Sequence, residues 1–277
     1  MTRPYSALVL DIDGTLLDEQ EQLHERTASA IARARAAGTV VMLATGRSHH
    51  GTREIAQRLD LDTPAIVFNG AAVYGLREDR LLSQYWLADA FVSELLDYAQ
   101  STELLQVVAR ADAQAVRTPL AHEATLLGGF RNLHAVPFTQ LPRTEALRVT
   151  LFSQRHADSA TLLDEVQRAV PGHPAYYTHF GLCALAGFRD SSAQVVDVQP
   201  YCQGKAEALP LLQRNYGIAP EQVVAVGDAS NDIPILRAAG LGVAMGHANP
   251  ETKAVAKRVI GDNHGTALAE LIEELFL

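Results

Sequence analysis

The run Leu8-Val9-Leu10-Asp11-Ile12-Asp13-Gly14-Thr15-Leu16 constrains the fold more than any other stretch of the chain. Apolar residues of strand type stop at two carboxylates one residue apart, and a glycine follows. Side chains at i and i+2 of an extended segment point the same way, so Asp11 and Asp13 are able to converge on one spot. Carboxylates that close repel each other unless a cation or a shared proton stands between them. Gly14 lets the chain turn sharply off the strand end, and that edge is where open α/β sheets place their chemistry. Taken alone, the stretch also reads as a strand followed by an ordinary acidic turn. The rest of the chain decides between the two.

Residues 39–44 read as a second buried strand between Gly38 and Gly46. Residues 22–37 read as a helix with Leu23, Thr27, Ile31 and Ala34 on one face. Strand, helix and strand make a βαβ unit, which implies a parallel sheet with a right-handed crossover. A helix over 49–59, a strand over 64–68 and a hairpin of 71–74 with 81–85 follow.

From 86 to 195 the pattern changes. Strands at 104–109, 115–118, 147–153, 175–180 and 193–198 are interrupted by single helices at 90–100 and 157–170, the signature of an α+β module. From Lys205 the alternation resumes, with helices at 205–216, 232–239, 251–256 and from 266, and strands at 223–226, 241–245 and 258–260. The expected architecture is α/β, a doubly wound, mostly parallel, Rossmann-like sheet formed by residues 1–85 and 196–277. An α+β cap over residues 86–195 interrupts it.

Four stretches at the ends of core strands carry polar chemistry. The first is Asp11-Ile12-Asp13. The second is Ala44-Thr45-Gly46-Arg47, a hydroxyl and a glycine before a helix, suited to a phosphate oxygen; Thr45 also reads as a plain helix cap. Lys205, at an expected helix start, sits badly against the helix dipole unless an anion is near, and by itself reads as a solvated surface lysine. The fourth, Gly227-Asp228-Ala229-Ser230-Asn231-Asp232, follows an apolar strand and offers carboxylates to a hard cation that takes oxygen ligands. As a set they describe one site.

The charges suggest the reaction. A phosphate monoester is a dianion, so a carboxylate nucleophile needs screening before it approaches. Mg²⁺ held by Asp11, Asp228 and a carbonyl near Asp13 provides that screening, and Lys205 adds to it. Asp11 is then placed to attack phosphorus and form an aspartyl-phosphate. Asp13 protonates the leaving oxygen and later activates water. Thr45, the Gly46 backbone and Asn231 bind the equatorial oxygens, where transition-state charge is spread. Arg47 is open between a structural ion pair and a substrate contact.

These motifs resemble the haloacid dehalogenase (HAD) superfamily of phosphatases, and specifically its Cof-type group, class IIB, with a large α/β cap. The resemblance rests on Asp11-Ile-Asp13-Gly-Thr-Leu16, Ala44-Thr45-Gly46-Arg47, Asn69-Gly70-Ala71, Lys205, Gly227-Asp228-Ala-Ser-Asn231-Asp232 and Gly240-Leu-Gly-Val-Ala-Met-Gly246 with Asn249. It implies Asp11 as nucleophile, Asp13 as acid/base, Thr45 as the phosphate hydroxyl and Lys205 as the bridging cation. It further implies Asp11, Asp13 and Asp228 at the metal, Asp232 behind them, and Asn231 near the phosphate. Ala206 departs from the glycine that usually follows the lysine. The stretch from Thr45 to Asn69, with residues 259–263, is similar to a branch that hydrolyses pyridoxal phosphate and sugar phosphates.

Composition narrows the partners. A formal charge of −9 over 277 residues argues against nucleic acid or an acidic membrane surface as a standing partner. Two cysteines, Cys183 and Cys202, lie far apart and outside any CxxC pattern, so neither a disulfide framework nor a zinc ribbon is expected. No run of about 18 apolar residues exists, and the N-terminus lacks the order of a signal peptide. The expectation is a cytoplasmic monomer or homodimer that takes a small phosphorylated metabolite. Two alternatives stay open: a phosphomutase, in which a cap keeps water from the phosphate, and a metabolite-binding sensor with little turnover.

Overall fold

A computed structural model of the protein describes residues 4–127, 132–185 and 187–277. The chain forms two compact units, Met1–Ser83 with Gln203–Leu277, and Gln84–Cys202.

The first unit begins with β1 (Ala7–Leu10), α1 (Glu25–Ala36), β2 (Val40–Leu43), α2 (His49–Arg58), β3 (Ala65–Val67), β4 (Ala72–Gly75) and β5 (Arg80–Gln84). α1 starts three residues later than its periodicity suggests. The Asp18 carboxylate accepts hydrogen bonds from the Gln20 and Gln22 amides, both at 2.8 Å, which winds 18–22 into a turn of its own. The helix then begins at His24, whose ring nitrogen accepts from the Arg26 amide.

The second unit carries α3 (Asp89–Ser101), β6 (Leu105–Ala109), β7 (Gln114–Arg117), β8 (Leu133–Val136), β9 (Arg148–Ser153), α4 (Ser159–Ala169), β10 (Ala175–Gly181) and β11 (Gln194–Pro200). Among the described residues its six strands form one mixed sheet in the order β10-β11-β9-β6-β7-β8. Val108, Val149, Leu151, Val196 and Val198 pack with Leu95, Leu96, Leu162 and Val166 of the two helices in one core. Leu105, Val107, Phe152 and Val195 pack into a second cluster with Leu182 and Phe188. Because β11 pairs with both β10 and β9, it belongs wholly to this sheet. The division expected at residue 195 falls inside it, and the return to the core comes at 203. β8 has no counterpart among the sequence expectations; its pairing with β7 is parallel and long-range, and it lacks a hairpin turn to mark it.

Back in the first unit, α5 (Ala208–Tyr216), β12 (Val223–Gly227), α6 (Ile233–Ala238), β13 (Leu241–Ala244), α7 (Pro250–Val255), β14 (Arg258–Val259) and α8 (Ala267–Phe276) complete the alternation. The sheet has the order β14-β13-β12-β1-β2, and each neighbouring pair in it runs parallel. β3 joins the end of β2 through a parallel bridge between Ala44 and Ile66, and begins the small antiparallel sheet β3-β4-β5. β1 lies inside the sheet, between β12 and β2, with every residue buried. Full burial of Leu8 and Leu10 stabilises by roughly 1.5–3 kcal/mol each.

Register positions the chemistry. Leu10 lies opposite Val226 on one side and Leu43 on the other. The next residues along the three strands are therefore Asp11, Gly227 and Ala44, and after those come Ile12, Asp228 and Thr45. Three polar strand ends emerge side by side at the carboxyl edge of the sheet, as a doubly wound fold requires of its site.

Candidate active site

Asp11 is fixed by its backbone: its amide donates to the Val226 carbonyl at 3.1 Å, continuing the ladder one residue beyond β1. Its buried carboxylate meets Lys205, with Nζ 2.7 Å from Oδ1. The same ammonium donates to Asp232 Oδ1 at 2.7 Å. Lys205 is 0% exposed, so the surface reading of this lysine does not hold. Nor does it open an α-helix: it lies in a 3₁₀ turn, Gly204–Glu207, and α5 starts at Ala208. The tighter turn carries its side chain inward, where two carboxylates replace the hydration it lost.

Asp232 holds three hydrogen bonds at once. Oδ1 takes the lysine, and Oδ2 accepts from the Asp228 and Ala229 amides, both at 3.0 Å. Asp228 is oriented from the other side by Thr15, whose hydroxyl donates to Oδ1 at 2.9 Å. Gly14 makes room for it: with φ +76°, a Cβ there would lie 2.4 Å from Asp228 Oδ2. Asp11, Asp228 and Asp232 each offer an oxygen, all within 4.8 Å of one another.

Three carboxylates and one ammonium in a buried space leave an excess of negative charge. Burial pushes the Asp11 carboxyl well above its ordinary range; Lys205 opposes this, and Asp232, Asp228 and Asp13 add to it. Asp228 is pushed up to about 7 by burial and then by Asp232, against Lys205 and the Thr15 hydroxyl. For Lys205, burial acts to discharge the amine, but Asp11 and Asp232 outweigh it and hold the ammonium charged. A cation bound by oxygen would relieve this strain and return both carboxyls to the ionised form. Asp11 and Asp228 fit that task, since the oxygens of Asp232 are already engaged.

Asp13 leaves this cluster. Its carboxylate is about half exposed and is gripped by Arg47, with Nε 2.8 Å from Oδ2 and Nη2 2.5 Å from Oδ1. Arg47 Nη2 also donates to Glu21 Oε1 at 3.1 Å. Arg47 thus forms the ion pair that was one of its two sequence readings.

The opposite wall comes from Thr45, Gly46, Asn69 and Asn231. Thr45 is fully buried; its amide donates to the Ile66 carbonyl at 2.9 Å, and its hydroxyl accepts from the Arg47 amide at 3.1 Å. Asn231 Nδ2 donates to Asn69 Oδ1 at 3.0 Å. Asn69 in turn packs tightly over Gly46, where a Cβ would lie 3.0 Å from that same oxygen. The backbone of Asn69 is left-handed, at φ 49°, a conformation asparagine tolerates better than most residues.

Sequence reasoning gave no role to Thr15, Glu21 or Asn69. Thr15 and Asn69 lie within the strand-end motifs, so their types were visible although their contacts were not. Glu21 had no signal at all, since its partner lies 26 residues away. The structure also brings His247 Nε2 to 3.8 Å from Asp228 Oδ2 and its Nδ1 to 3.8 Å from Asp262.

Residues 8–272 match the model of the haloacid dehalogenase-like hydrolase family. The chain is 27% identical over 277 residues to a 5-amino-6-(5-phospho-D-ribitylamino)uracil phosphatase of Bacillus subtilis, covering 99% of this chain and 98% of that protein. It is 29% identical over 269 residues to a pyridoxal phosphate phosphatase of Escherichia coli, covering 96% of each. The solved structure of the HAD subclass IIB sugar phosphatase BT4131 superposes with a TM-score of 0.80 at 22% identity, covering 97% of this chain and 98% of that one, which is a likeness of fold. No helix among the described residues is long and apolar enough to cross a membrane. The chain belongs to the haloacid dehalogenase-like hydrolase family.

Proposed function

We propose that this protein is a Mg²⁺-dependent hydrolase of small phosphomonoesters, with sugar phosphates or pyridoxal phosphate as its substrate class and Asp11 as its nucleophile. The observation that carries the reading is the pairing of a buried carboxylate with a buried ammonium at 2.7 Å, two residues from a half-exposed carboxylate. A binding protein has no use for that second carboxylate; a hydrolase needs it twice.

In the first half-reaction an oxygen of Asp11 attacks phosphorus and the bond from phosphorus to the leaving oxygen breaks. Asp13, as the carboxylic acid, gives its proton to that oxygen and the alcohol departs. Water then attacks the phosphorus of the aspartyl-phosphate while Asp13, now a carboxylate, takes its proton. The bond to Asp11 breaks and inorganic phosphate leaves. Lys205 holds Asp11 in place and offsets its charge as the dianion approaches. The Thr45 hydroxyl, the Gly46 backbone and the Asn231 amide are the donors for the equatorial phosphate oxygens. Asp11 and Asp228 would hold Mg²⁺ with a backbone carbonyl at Asp13, and Asp232 would orient Lys205 and the loop at Asp228. When bound, the metal supplies positive charge to the nucleophile and the phosphate.

The test is phosphate release from p-nitrophenyl phosphate, hexose phosphates and pyridoxal phosphate with Mg²⁺, beside Asp11→Asn. Metal-dependent release that the variant lacks is the expected result, and the ranking of esters identifies the leaving group. Isomerised sugar phosphate without free phosphate would indicate a mutase instead.

A further inference from the structure

We propose that Glu21 is a positioning residue for the acid/base Asp13, acting through Arg47; the proposal rests on the hydrolase reading above. Asp13 has to present its carboxyl group to the leaving oxygen, yet its side chain is about half exposed and, unheld, would sample several rotamers. The guanidinium supplies the constraint, since Nε and Nη2 each meet one oxygen of Asp13 and fix the plane of the carboxylate. A long arginine side chain is itself flexible, so the fork constrains Asp13 only if something else constrains the fork.

Two anchors do so. At the base, the Arg47 amide donates to the Thr45 hydroxyl and the Arg47 carbonyl accepts from the Phe68 amide at 2.9 Å, which ties the backbone to the sheet edge. At the tip, Glu21 Oε1 accepts from the same Nη2 that holds Asp13. Glu21 is delivered there by a braced turn. Asp18 Oδ1 accepts from the Gln20 and Gln22 amides, the Asp18 amide donates to the Gln22 carbonyl at 3.0 Å, and the Glu21 amide donates to the Asp18 carbonyl at 3.0 Å. Within it Glu21 takes φ +57°, a left-handed conformation uncommon for a residue with a Cβ. The turn thus holds an unfavourable backbone angle while aiming this carboxylate at Arg47.

An exposed ion pair that only decorated the surface would contribute little to anything. A positioning role predicts a selective effect instead. An alkyl phosphate needs its leaving oxygen protonated as the bond breaks, whereas p-nitrophenolate leaves with little help. The full-length protein with Mg²⁺ is assayed for kcat/KM on glycerol 2-phosphate and p-nitrophenyl phosphate, as wild type, Glu21→Gln and Glu21→Asp. Glu21→Gln is expected to lower the alkyl value by about threefold and leave the nitrophenyl value unchanged, with Glu21→Asp restoring part of the loss. An equal fall on both esters, or no change on either, overturns the role of Glu21 alone. No phosphate release by the wild type from any ester overturns the hydrolase reading, and this role falls with it.

Discussion

At the scale of single residues, Lys205 governs the electrostatics of the site. Its ammonium is shared by Asp11 and Asp232, and all three side chains are buried. Lys205→Met keeps the length and removes the charge, leaving two carboxylates facing each other out of water. Breaking a buried charge set in this way costs about 3–5 kcal/mol, so urea denaturation of the metal-free variant is expected to show a loss of that order, together with loss of turnover. His49 gives a second prediction. Burial, helped by the neighbouring His50 and opposed by Asp79, lowers its pKa to about 4. The unfolded chain takes up that proton near pH 6.5. Between these values the unfolded state binds more protons at this ring, so the contribution of His49 is full at neutral pH and is lost as the pH drops from about 6.5 towards 4. His49→Phe removes that loss, so going from pH 7 to pH 5 the variant's melting temperature is expected to shift upward relative to that of the wild type measured at the same two pH values. Asp11, Asp228 and Thr45 were legible in the sequence because each ends a strand whose apolar run marks it, and register did the rest. Glu21 was illegible because an exposed acid in a polar turn looks the same whether or not an arginine from another strand end reaches it.

At the scale of elements, the close approach of two backbones sets the place of Lys205. Gly70 has φ +100°, and a Cβ on it would lie 2.3 Å from the Gly204 carbonyl oxygen, immediately before the lysine. Gly70→Ala is therefore strained in its own backbone and forces that turn away. It is expected to destabilise by about 1–3 kcal/mol and to lower kcat more than it weakens phosphate binding, checked by chemical denaturation beside steady-state kinetics. The helices and strands of the βαβ alternation were legible from period and from their glycine boundaries. What escaped were features set by local side-chain bonding or long-range pairing: the turn at 18–22 wound around Asp18, the 3₁₀ turn carrying Lys205, and β8. An apolar periodicity of 3.6 cannot separate a 3₁₀ turn from the first turn of the helix it precedes. Taken alone Lys205 therefore reads as a surface residue, and only its company of strand-end motifs marks it for the site.

At the scale of the whole molecule, each of the two units packs apolar clusters of its own, and the catalytic residues proposed here all come from the unit that the insertion divides. β1 and β12 are neighbours in the sheet but more than 200 residues apart in sequence, so the pairing that sets Asp11 beside Asp228 forms only when both segments have folded. The metal is expected to report on that assembly. A cation that binds the folded site and not the open chain stabilises by mass action, so Mg²⁺ should raise the melting temperature and a chelator reverse it. Asp228→Asn should abolish most of the rise. The central claim is that Asp11 carries the phosphoryl group, and one measurement addresses it most directly. The protein is mixed with p-nitrophenyl phosphate and Mg²⁺, quenched in acid within one turnover, and its peptides are examined by mass spectrometry. The account predicts a phosphoryl group on the peptide containing Asp11, absent from Asp11→Asn. Full turnover by the wild type with no phosphorylated peptide, or with phosphate on another residue, would contradict it.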